Sequence, residues 1–301
     1  MQSFHSRRRP GQMVAKAIIY TIVGLFGFAT FYPFWYILIA SFNSGADFTR
    51  GGVYLWPRVF TLANYREAFL SRMIVNALTI SVGRTVLGVL LGISFTALFA
   101  YAMHIRTLPG RTWLVIYFFI TTIVGGGMIP YYFLLRALNL TKSFWIYVIP
   151  SIFNFFNMVL MRTFFDGIPS ELRESAVVDG ANEWRVIARI YLPLSIPVMA
   201  TVSLFIGVAH WNDWFTGAYY VSNQKLYPAA TYLQKILTEA QAAQTIQVGR
   251  ETAAMFDAIN QTTPQSLQMA FVMLLTMPIV AVYPFLQKYY VKGVMVGAIK
   301  G

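Results

Sequence analysis

Six stretches of mostly apolar residues recur along the chain, separated by more polar segments. They cover residues 17–42, 74–103, 113–136, 143–165, 194–217 and 267–290. An apolar helix needs about 20 residues to cross the roughly 30 Å hydrocarbon core of a bilayer. A lone strand facing lipid cannot satisfy its own backbone hydrogen bonds. The pattern therefore predicts an all-α polytopic membrane protein with six transmembrane helices.

The composition supports a membrane protein and argues against other classes. Of the 301 residues, 57% are hydrophobic and 11% are charged, whereas soluble domains carry about 25% charged residues. The net charge is +12, but the basic residues punctuate the apolar stretches and form no stripe, so nucleic acid is not an expected partner. The chain has no cysteine and three widely separated histidines, which predicts neither a metal site nor thiolate catalysis.

The distribution of Lys and Arg predicts the orientation. With six spans both termini share one side, which holds thirteen basic residues against nine on the other side. Because cytoplasmic loops are enriched in basic residues, and Arg7, Arg8 and Arg9 cluster before the first span, both termini are expected in the cytoplasm. Residues 1–16 then form a cytoplasmic tail and residues 17–301 a transmembrane domain. The first apolar stretch is too long for a secretory signal and is expected to be retained.

Two loops are long. Residues 218–266 fall on the outer side, and their polar, Ala- and Gln-rich stretch from Thr231 to Ile259 predicts a helix on the outer surface. Residues 166–193 fall on the cytoplasmic side.

The sequence of residues 166–193 predicts two short helices joined by a tight turn. Pro169 and Ser170 can start the first helix, and Asp179-Gly180 can end it because glycine readily adopts the left-handed conformation. Asn182 can cap the second helix, which ends near Pro193. Ser175, Ala176 and Gly180 are small and would let a partner approach closely. Trp184, Ile187, Ile190 and Tyr191 would anchor the loop to the bundle. On physical grounds alone, an ordinary amphipathic connector is an equal alternative.

The same loop resembles a family motif. Glu174-Ser175-Ala176, three residues, Gly180, nine residues, Ile190, one residue and Leu192-Pro193 are similar to the Glu-Ala-Ala loop of binding-protein-dependent ABC importer permeases, with Ser175 in place of the first alanine. The resemblance implies a coupling helix that docks on an ATPase subunit. The residues implied in this coupling are Glu174, Ser175, Ala176, Asp179, Gly180, Ile190, Leu192 and Pro193.

Two further segments narrow the resemblance. Residues 210–214, His-Trp-Asn-Asp-Trp, look like the Trp-Asn motif of the carbohydrate-uptake branch, which includes the maltose permeases. Residues 283–301 are similar to the tails of oligosaccharide permeases, among them the alginate importer. Together the matches extend from about residue 74 to residue 301.

The family implies several partners and a location. These are a homologous second permease subunit, two cytoplasmic ATPase subunits that hold ATP and Mg, a periplasmic solute-binding protein, membrane lipid and an oligosaccharide, in a bacterial inner membrane. The chain itself has no G-x-x-x-x-G-K-[ST] motif, so it is expected to be non-catalytic and to hold no cofactor.

The alternatives are a secondary transporter or channel for small polar solutes and a non-transport membrane protein such as an assembly scaffold. Asp213 is the one acidic residue inside the predicted spans, which argues against proton coupling.

Five polar or aromatic residues are candidates for the substrate pathway. Trp211, Asn212 and Asp213 could contact a sugar, or they could form an interfacial belt at the end of a helix. Asn154 and Asn157 are spaced to share one helix face and could line the pathway or bond to neighbouring helices.

Two other features of the predicted spans stand out. Gly125-Gly126-Gly127 is expected to bend the third span with no role in binding. Arg84 is expected to face the bundle or reach a membrane surface.

Overall fold

The computed structural model describes residues 10–245 and 262–298. Apart from one isolated bridge between Asn43 and Phe60, the regular elements in these residues are helices, which confirms the all-α prediction. The α-helices are α1 Pro10–Ser41, α2 Gly45–Phe48, α3 Ala63–Leu70, α4 Arg72–His104, α5 Arg111–Ile123, α6 Met128–Ala137, α7 Phe155–Phe165, α8 Glu171–Val178, α9 Glu183–Val186, α10 Leu192–Leu194, α11 Ile196–Asn212, α12 Phe215–Tyr220, α13 Ala229–Thr245 and α14 Pro264–Ala298. A π-helical turn, Ile187–Tyr191, joins α9 to α10, and two 3₁₀ turns cover Phe144–Tyr147 and Gln224–Leu226.

Some predicted features lie outside the described residues. They are Arg7, Arg8 and Arg9, the part of the predicted outer helix beyond Thr245, and residues 299–301.

The apolar helices only partly reproduce six simple spans. In the described residues, Met13–Ser41, Arg72–His104 and Pro264–Val282 are each long and apolar enough to cross a membrane. Two bent pairs raise the number to as many as five: α5 with α6, at 117°, and Glu183–Leu194 with α11, at 83°. The predicted fourth span contains a 3₁₀ turn and the eleven-residue α7. The number six therefore stays a prediction, whereas the expected break at Gly125–Gly127 is present.

The chain divides into two compact units, whereas the sequence suggested one transmembrane domain over residues 17–301, which stays a prediction. One unit comprises Met1–Leu70 and Ala243–Leu274, and the other comprises Ser71–Ala242 and Leu275–Gly301. Helix α14 begins in the first unit and continues into the second.

Buried polar contacts organise the first unit. The side-chain amide of Asn64 donates to the backbone oxygens of Ser41 and Asn43, both at 2.9 Å. Ser266, near the start of α14, donates its hydroxyl to Asn64 Oδ1 at 2.7 Å. The end of α1, the loop after it and the start of α14 are thus held together, while most of α1 itself is exposed.

Helix α4 is the centre of the second unit and packs chiefly against α7 and α11. Their shared core buries residues such as Tyr101, Phe165 and Val202. A Cβ atom at Gly88 would overlap the imidazole of His210, so glycine there is what allows α4 and α11 to approach each other. This close contact lies beside the cavity described below.

Candidate functional site

The loop between α7 and α11 has the predicted local structure. Gly180 has a φ of +79°, the N–H of Ala181 donates to the Ala176 oxygen at 2.9 Å, and that of Gly180 donates to the Val177 oxygen at 3.0 Å. This pair of bonds is the Schellman arrangement that ends a helix with a left-handed glycine. Asn182 then caps α9, because its Oδ1 accepts the N–H of Arg185 at 2.9 Å. Ser170 precedes α8 but makes no side-chain cap.

The loop has one face on the core and one face exposed. The core-facing residues among those implied in coupling are Ala176, Ile190 and Leu192. The exposed ones are Glu174, Ser175, Asp179, Gly180 and Pro193. The loop therefore rests on the bundle and presents the Gly180 turn outward.

The anchoring residues are partly different from those predicted. Ile187 and Tyr191 are buried as expected, and Ile190 packs on the core. Trp184, however, is 69% exposed, and Val186 is buried in its place. Trp184 belongs to the first turn of the short helix α9, where the side that faces the core is occupied by Val186. The loop thus exposes apolar side chains, among them Trp184 and Val178, which is 87% exposed.

Three side chains that the sequence analysis missed clamp the loop to α4. Arg173 on α8 forms an ion pair with Glu183 on α9, and the Tyr101 hydroxyl on α4 donates to the same carboxylate. Burial opposes ionisation of Glu183, but the hydrogen bonds from Tyr101 and Arg173 outweigh it and hold the pKa of Glu183 below its ordinary value. The sequence signal for this ion pair is the opposite charge of Arg173 and Glu183, which lie on either side of the predicted turn.

A second polar contact lies at the same end of α4. His104 Nδ1 is 2.6 Å from Asp166 Oδ1, and its Nε2 is 3.0 Å from the Tyr191 hydroxyl. Asp166 follows α7, so His104 links the ends of α4 and α7 to the π-helical turn of the loop. A displacement of the loop would therefore act directly on α4 and α7.

A cavity of about 680 Å³ lies in the second unit between α6, α7 and α11. Of the five predicted pathway residues, Asn154, Asn157 and Asp213 line it. Residues that sequence reasoning did not select also line it, namely Tyr131, Tyr147, Ser151, His210 and Thr216, together with several apolar side chains. Within the described ranges, His, Asp and Glu form no group of three or more that could hold a metal ion.

Asn154 and Asn157 reach the cavity in a way the helix spacing did not predict. Asn154 is not on a face of α7 but precedes it as the N-cap, and its Oδ1 accepts the N–H of Asn157 at 3.1 Å. The polypeptide is irregular just before α7, and an asparagine satisfies a free N–H at a helix start well. The cap uses Oδ1, so it does not engage the –NH₂ group of Asn154, a residue that lines the cavity.

Trp211 and Asn212 do not line this cavity. Trp211 is buried, its Nε1 donates to the Leu275 oxygen at 2.9 Å, and it borders a separate apolar groove. Asn212 is exposed. Because successive helical side chains point about 100° apart, one face of α11 carries His210 to the cavity while its neighbour Trp211 faces α14.

Arg84 faces the bundle, one of the two predicted outcomes. Its side chain is fully buried, and Nη1 lies 3.4 Å from Asp213 Oδ2. Its Nη2 donates to the Asp213 backbone oxygen at 2.5 Å, and its guanidinium carbon is 5.0 Å from the centroid of the Tyr147 ring. Asp213 also accepts the Thr216 N–H at 3.1 Å. Arg84 thus holds Asp213 in the gap between α11 and α12.

The architecture is that of a multi-pass helical membrane protein with a polar internal cavity and an exposed two-helix loop. A sequence model of the family described as "Binding-protein-dependent transport system inner membrane component" matches residues 4–296. The chain belongs to this family and is a permease subunit of an ABC transport system of the inner membrane.

Individual proteins place the chain further within the family. It is 34% identical to Protein LplC of Bacillus subtilis (strain 168), over 93% of this chain and 92% of LplC. It is 33% identical to the polygalacturonan/rhamnogalacturonan transport system permease protein YtcP of the same organism, over 94% of this chain and 97% of YtcP. A crystal structure of a bacterial ABC transporter involved in the import of the acidic polysaccharide alginate matches with a TM-score of 0.85 and 27% identity, covering 96% of this chain and 100% of that one. The predicted relationship to carbohydrate-uptake permeases is confirmed.

Proposed function

We propose that this chain and a homologous second permease form the pathway of an ATP-driven importer for an oligosaccharide. A periplasmic binding protein would deliver the sugar, and two cytoplasmic ATPase subunits, which bind ATP and Mg, would drive the change of conformation. In this arrangement both termini are cytoplasmic. The names of YtcP and of the alginate transporter, both concerned with polysaccharides, support a saccharide as the substrate.

The observation that carries the proposal is the form of the loop between α7 and α11. Its turn and the apolar side chains of Val178 and Trp184 are exposed, while Val186, Ile187 and Tyr191 are buried in the core of α4, α7 and α11. An exposed apolar surface on a polar loop is typical of a docking site, and a short helix fits a partner's groove. Movement of a docked ATPase subunit would thereby be transmitted to the transmembrane helices.

The cavity supports the second half of the proposal. It combines amide and hydroxyl groups with aromatic walls, as binding sites for polar organic ligands commonly do. We place Asn154, Asn157 and Asp213 on the substrate pathway. Trp211 and Asn212 do not line this cavity, and a pathway role for them stays a prediction.

A pair of charge substitutions tests the docking surface. Val178→Glu puts a carboxylate at the exposed end of α8 and should remove the ATPase subunits from the complex purified in mild detergent. Val59→Glu is the matched control, because Val59 is also exposed, at 50%, and lies between α2 and α3, in the segment that the predicted topology puts on the outer side. If the ATPase subunits co-purify equally with both variants, the docking surface is wrongly assigned.

Transport itself separates the importer from the alternative of a secondary transporter. Proteoliposomes that contain the complete complex should accumulate oligosaccharide with ATP and binding protein present. Uptake that continues without ATP, driven by an ion gradient, would contradict the importer.

A further inference from the structure

The charges around the cavity are arranged unequally, and this arrangement bears on which part of a saccharide the chain can bind. Among the described residues that line the cavity, none is Lys or Arg. The ionisable groups in its wall besides tyrosine are Asp213 and His210. The Asp213 side chain is 32% exposed, whereas that of Arg84 is 0% exposed.

Arg84 supplies a countercharge without offering a cation to a ligand. A carboxylate at membrane depth is costly unless it is paired, and Arg84 provides that pairing from behind. The guanidinium contacts Asp213 and the Tyr147 ring, and both of these line the cavity whereas Arg84 does not. The negative end of the pair therefore lies closer to the cavity than the positive end.

The remaining polar groups of the wall suit hydroxyl groups. Asn154 can donate from its amide, Ser151, Tyr131 and Thr216 carry hydroxyls, and Asp213 accepts. A carboxylate acceptor makes a stronger hydrogen bond to a hydroxyl than a neutral acceptor does. A carboxylate of the ligand, in contrast, would meet like charge and, among the described residues that line the cavity, neither Lys nor Arg.

Resting on the proposed function of the cavity, we propose that this chain binds the neutral, hydroxyl-bearing face of the transported saccharide, with Asp213 as the hydroxyl acceptor. Uronate carboxylates, when the saccharide has them, point away from this wall. The specificity contributed by this chain is thus for hydroxyl groups.

The lack of cysteine in the sequence allows a direct test on the assembled complex. Ser151→Cys introduces a thiol of similar shape on the cavity wall, and Thr216→Cys introduces one next to Asp213. The rates of modification of this chain by a cationic and an anionic methanethiosulfonate are measured by mass and divided by their rates with a free thiol. We expect the cationic reagent to react at least about threefold faster at both positions.

Changes at Asp213 separate the charge effect from a general effect on accessibility. Asp213→Asn leaves the Arg84 charge unbalanced and should lower the ratio of cationic to anionic rates to one or below. Asp213→Glu keeps the charge and should keep the ratio above one. This variant therefore distinguishes the loss of the charge from a disturbed fold. A neutral oligosaccharide, delivered by the binding protein, should slow both reactions.

The outcomes distinguish this inference from the proposed function. A faster reaction with the anionic reagent in the protein with Asp213 intact overturns the inference while leaving the cavity on the pathway. A ratio unchanged by Asp213→Asn overturns the role of Asp213. If neither reagent reacts at either position, the cavity is not on an aqueous pathway, the pathway proposal fails, and the inference fails with it.

Discussion

Arg84 and Asp213 form an ion pair across 129 positions of sequence, with 3.4 Å between Nη1 and Oδ2. The pair joins the middle of α4 to the junction of α11 and α12. Since Nη2 also donates to the Asp213 backbone oxygen, Arg84 supports the carbonyl end of α11, where a cation is favourable. The same residue therefore stabilises the break in the helix and orients the carboxylate.

Removing one partner of this pair should cost more than removing both charges. Arg84→Leu leaves Asp213 without its countercharge and should lower the free energy of unfolding by about 3 kcal/mol, near the lower end for buried pairs because Asp213 is partly exposed to the cavity. The double variant Arg84→Gln, Asp213→Asn should lose less than Arg84→Leu. Thermal unfolding of the purified complex in detergent measures both. Unchanged stability and transport in Arg84→Leu would show that the pair has no role.

A side chain at Gly180 should have two separate effects. It should strain the backbone within the chain, and it should add bulk at the proposed docking surface. Apart from its two chain neighbours, no atom of the described residues lies within 4 Å of a Cβ placed on Gly180, so the cost inside the chain is the left-handed conformation, about 1–2 kcal/mol for most residues. Asparagine adopts that conformation readily. We expect Gly180→Ala and Gly180→Leu to be similarly stable, but Gly180→Leu to uncouple ATP hydrolysis from uptake far more.

The ratio of sugar imported to ATP hydrolysed is the measurement for the Gly180 series. Gly180→Asn reports the effect of a side chain without the strain. Normal coupling in Gly180→Leu would contradict the assignment of the turn as the docking element.

Local signals predicted much of the fold, because they act over a few residues. The ends of α8 and α9 follow from Gly180 and Asn182, and the bend after α5 follows from three consecutive glycines. The cavity was less predictable because it depends on contacts between distant positions, such as Arg84 with Asp213 or Gly88 with His210. The spacing predicts Asn154 on a helix face, whereas Asn154 precedes α7 as its cap. The contact of Trp211 with Leu275 joins two helices, and spacing within one helix cannot predict it.

The Glu183 carboxylate should hold the loop between α7 and α11 in place against α4. Glu183→Gln and Tyr101→Phe each remove a hydrogen bond or charge contact between the loop and α4, a loss of about 0.5–1.5 kcal/mol for one bond. We expect both variants to assemble with the ATPase subunits but to import less sugar per ATP. Arg58→Gln, which removes an ion pair of 3.0 Å with Asp47 in the segment between α1 and α3, is the control and should change coupling less.

The same contact has a defined pH dependence. The folded pKa of Glu183 is lowered, so its stabilising contribution is fully present above the ordinary carboxyl pKa and is lost as the pH falls through the lowered value. The stabilising contribution of Glu183 should therefore be constant between pH 6 and 8, more than about one unit above the ordinary carboxyl pKa. The difference between the original chain and Glu183→Gln should shrink on acidification below about pH 4.5. A difference that grows towards acid pH would contradict this assignment.

The segment after α12, which the sequence predicts on the outer side, should contribute to recognition of the binding protein. Thr231 is buried, and its hydroxyl donates to the Trp214 oxygen at 2.8 Å, so the start of α13 belongs to the core and should be retained. Replacing residues 236–259 with a flexible Gly/Ser linker should leave basal ATP hydrolysis intact and weaken its stimulation by the binding protein. A titration of ATPase activity against binding protein measures this. Equal stimulation would show that docking occurs elsewhere.

Substitutions of Trp211 and Asn157 should affect different properties, stability and sugar affinity, although the sequence suggested a pathway role for both residues. Trp211→Phe removes the hydrogen bond to the Leu275 oxygen and should lower stability by about 1 kcal/mol, but it leaves the cavity wall unchanged. Asn157→Leu replaces an amide in that wall with an apolar group and should raise the oligosaccharide concentration needed for half-maximal uptake. Uptake by both variants is measured with the same sugar and the same binding protein. A change in apparent affinity that is confined to Asn157→Leu supports the cavity as the pathway. A larger change in Trp211→Phe would mean that the sugar passes along the other face of α11, beside α14.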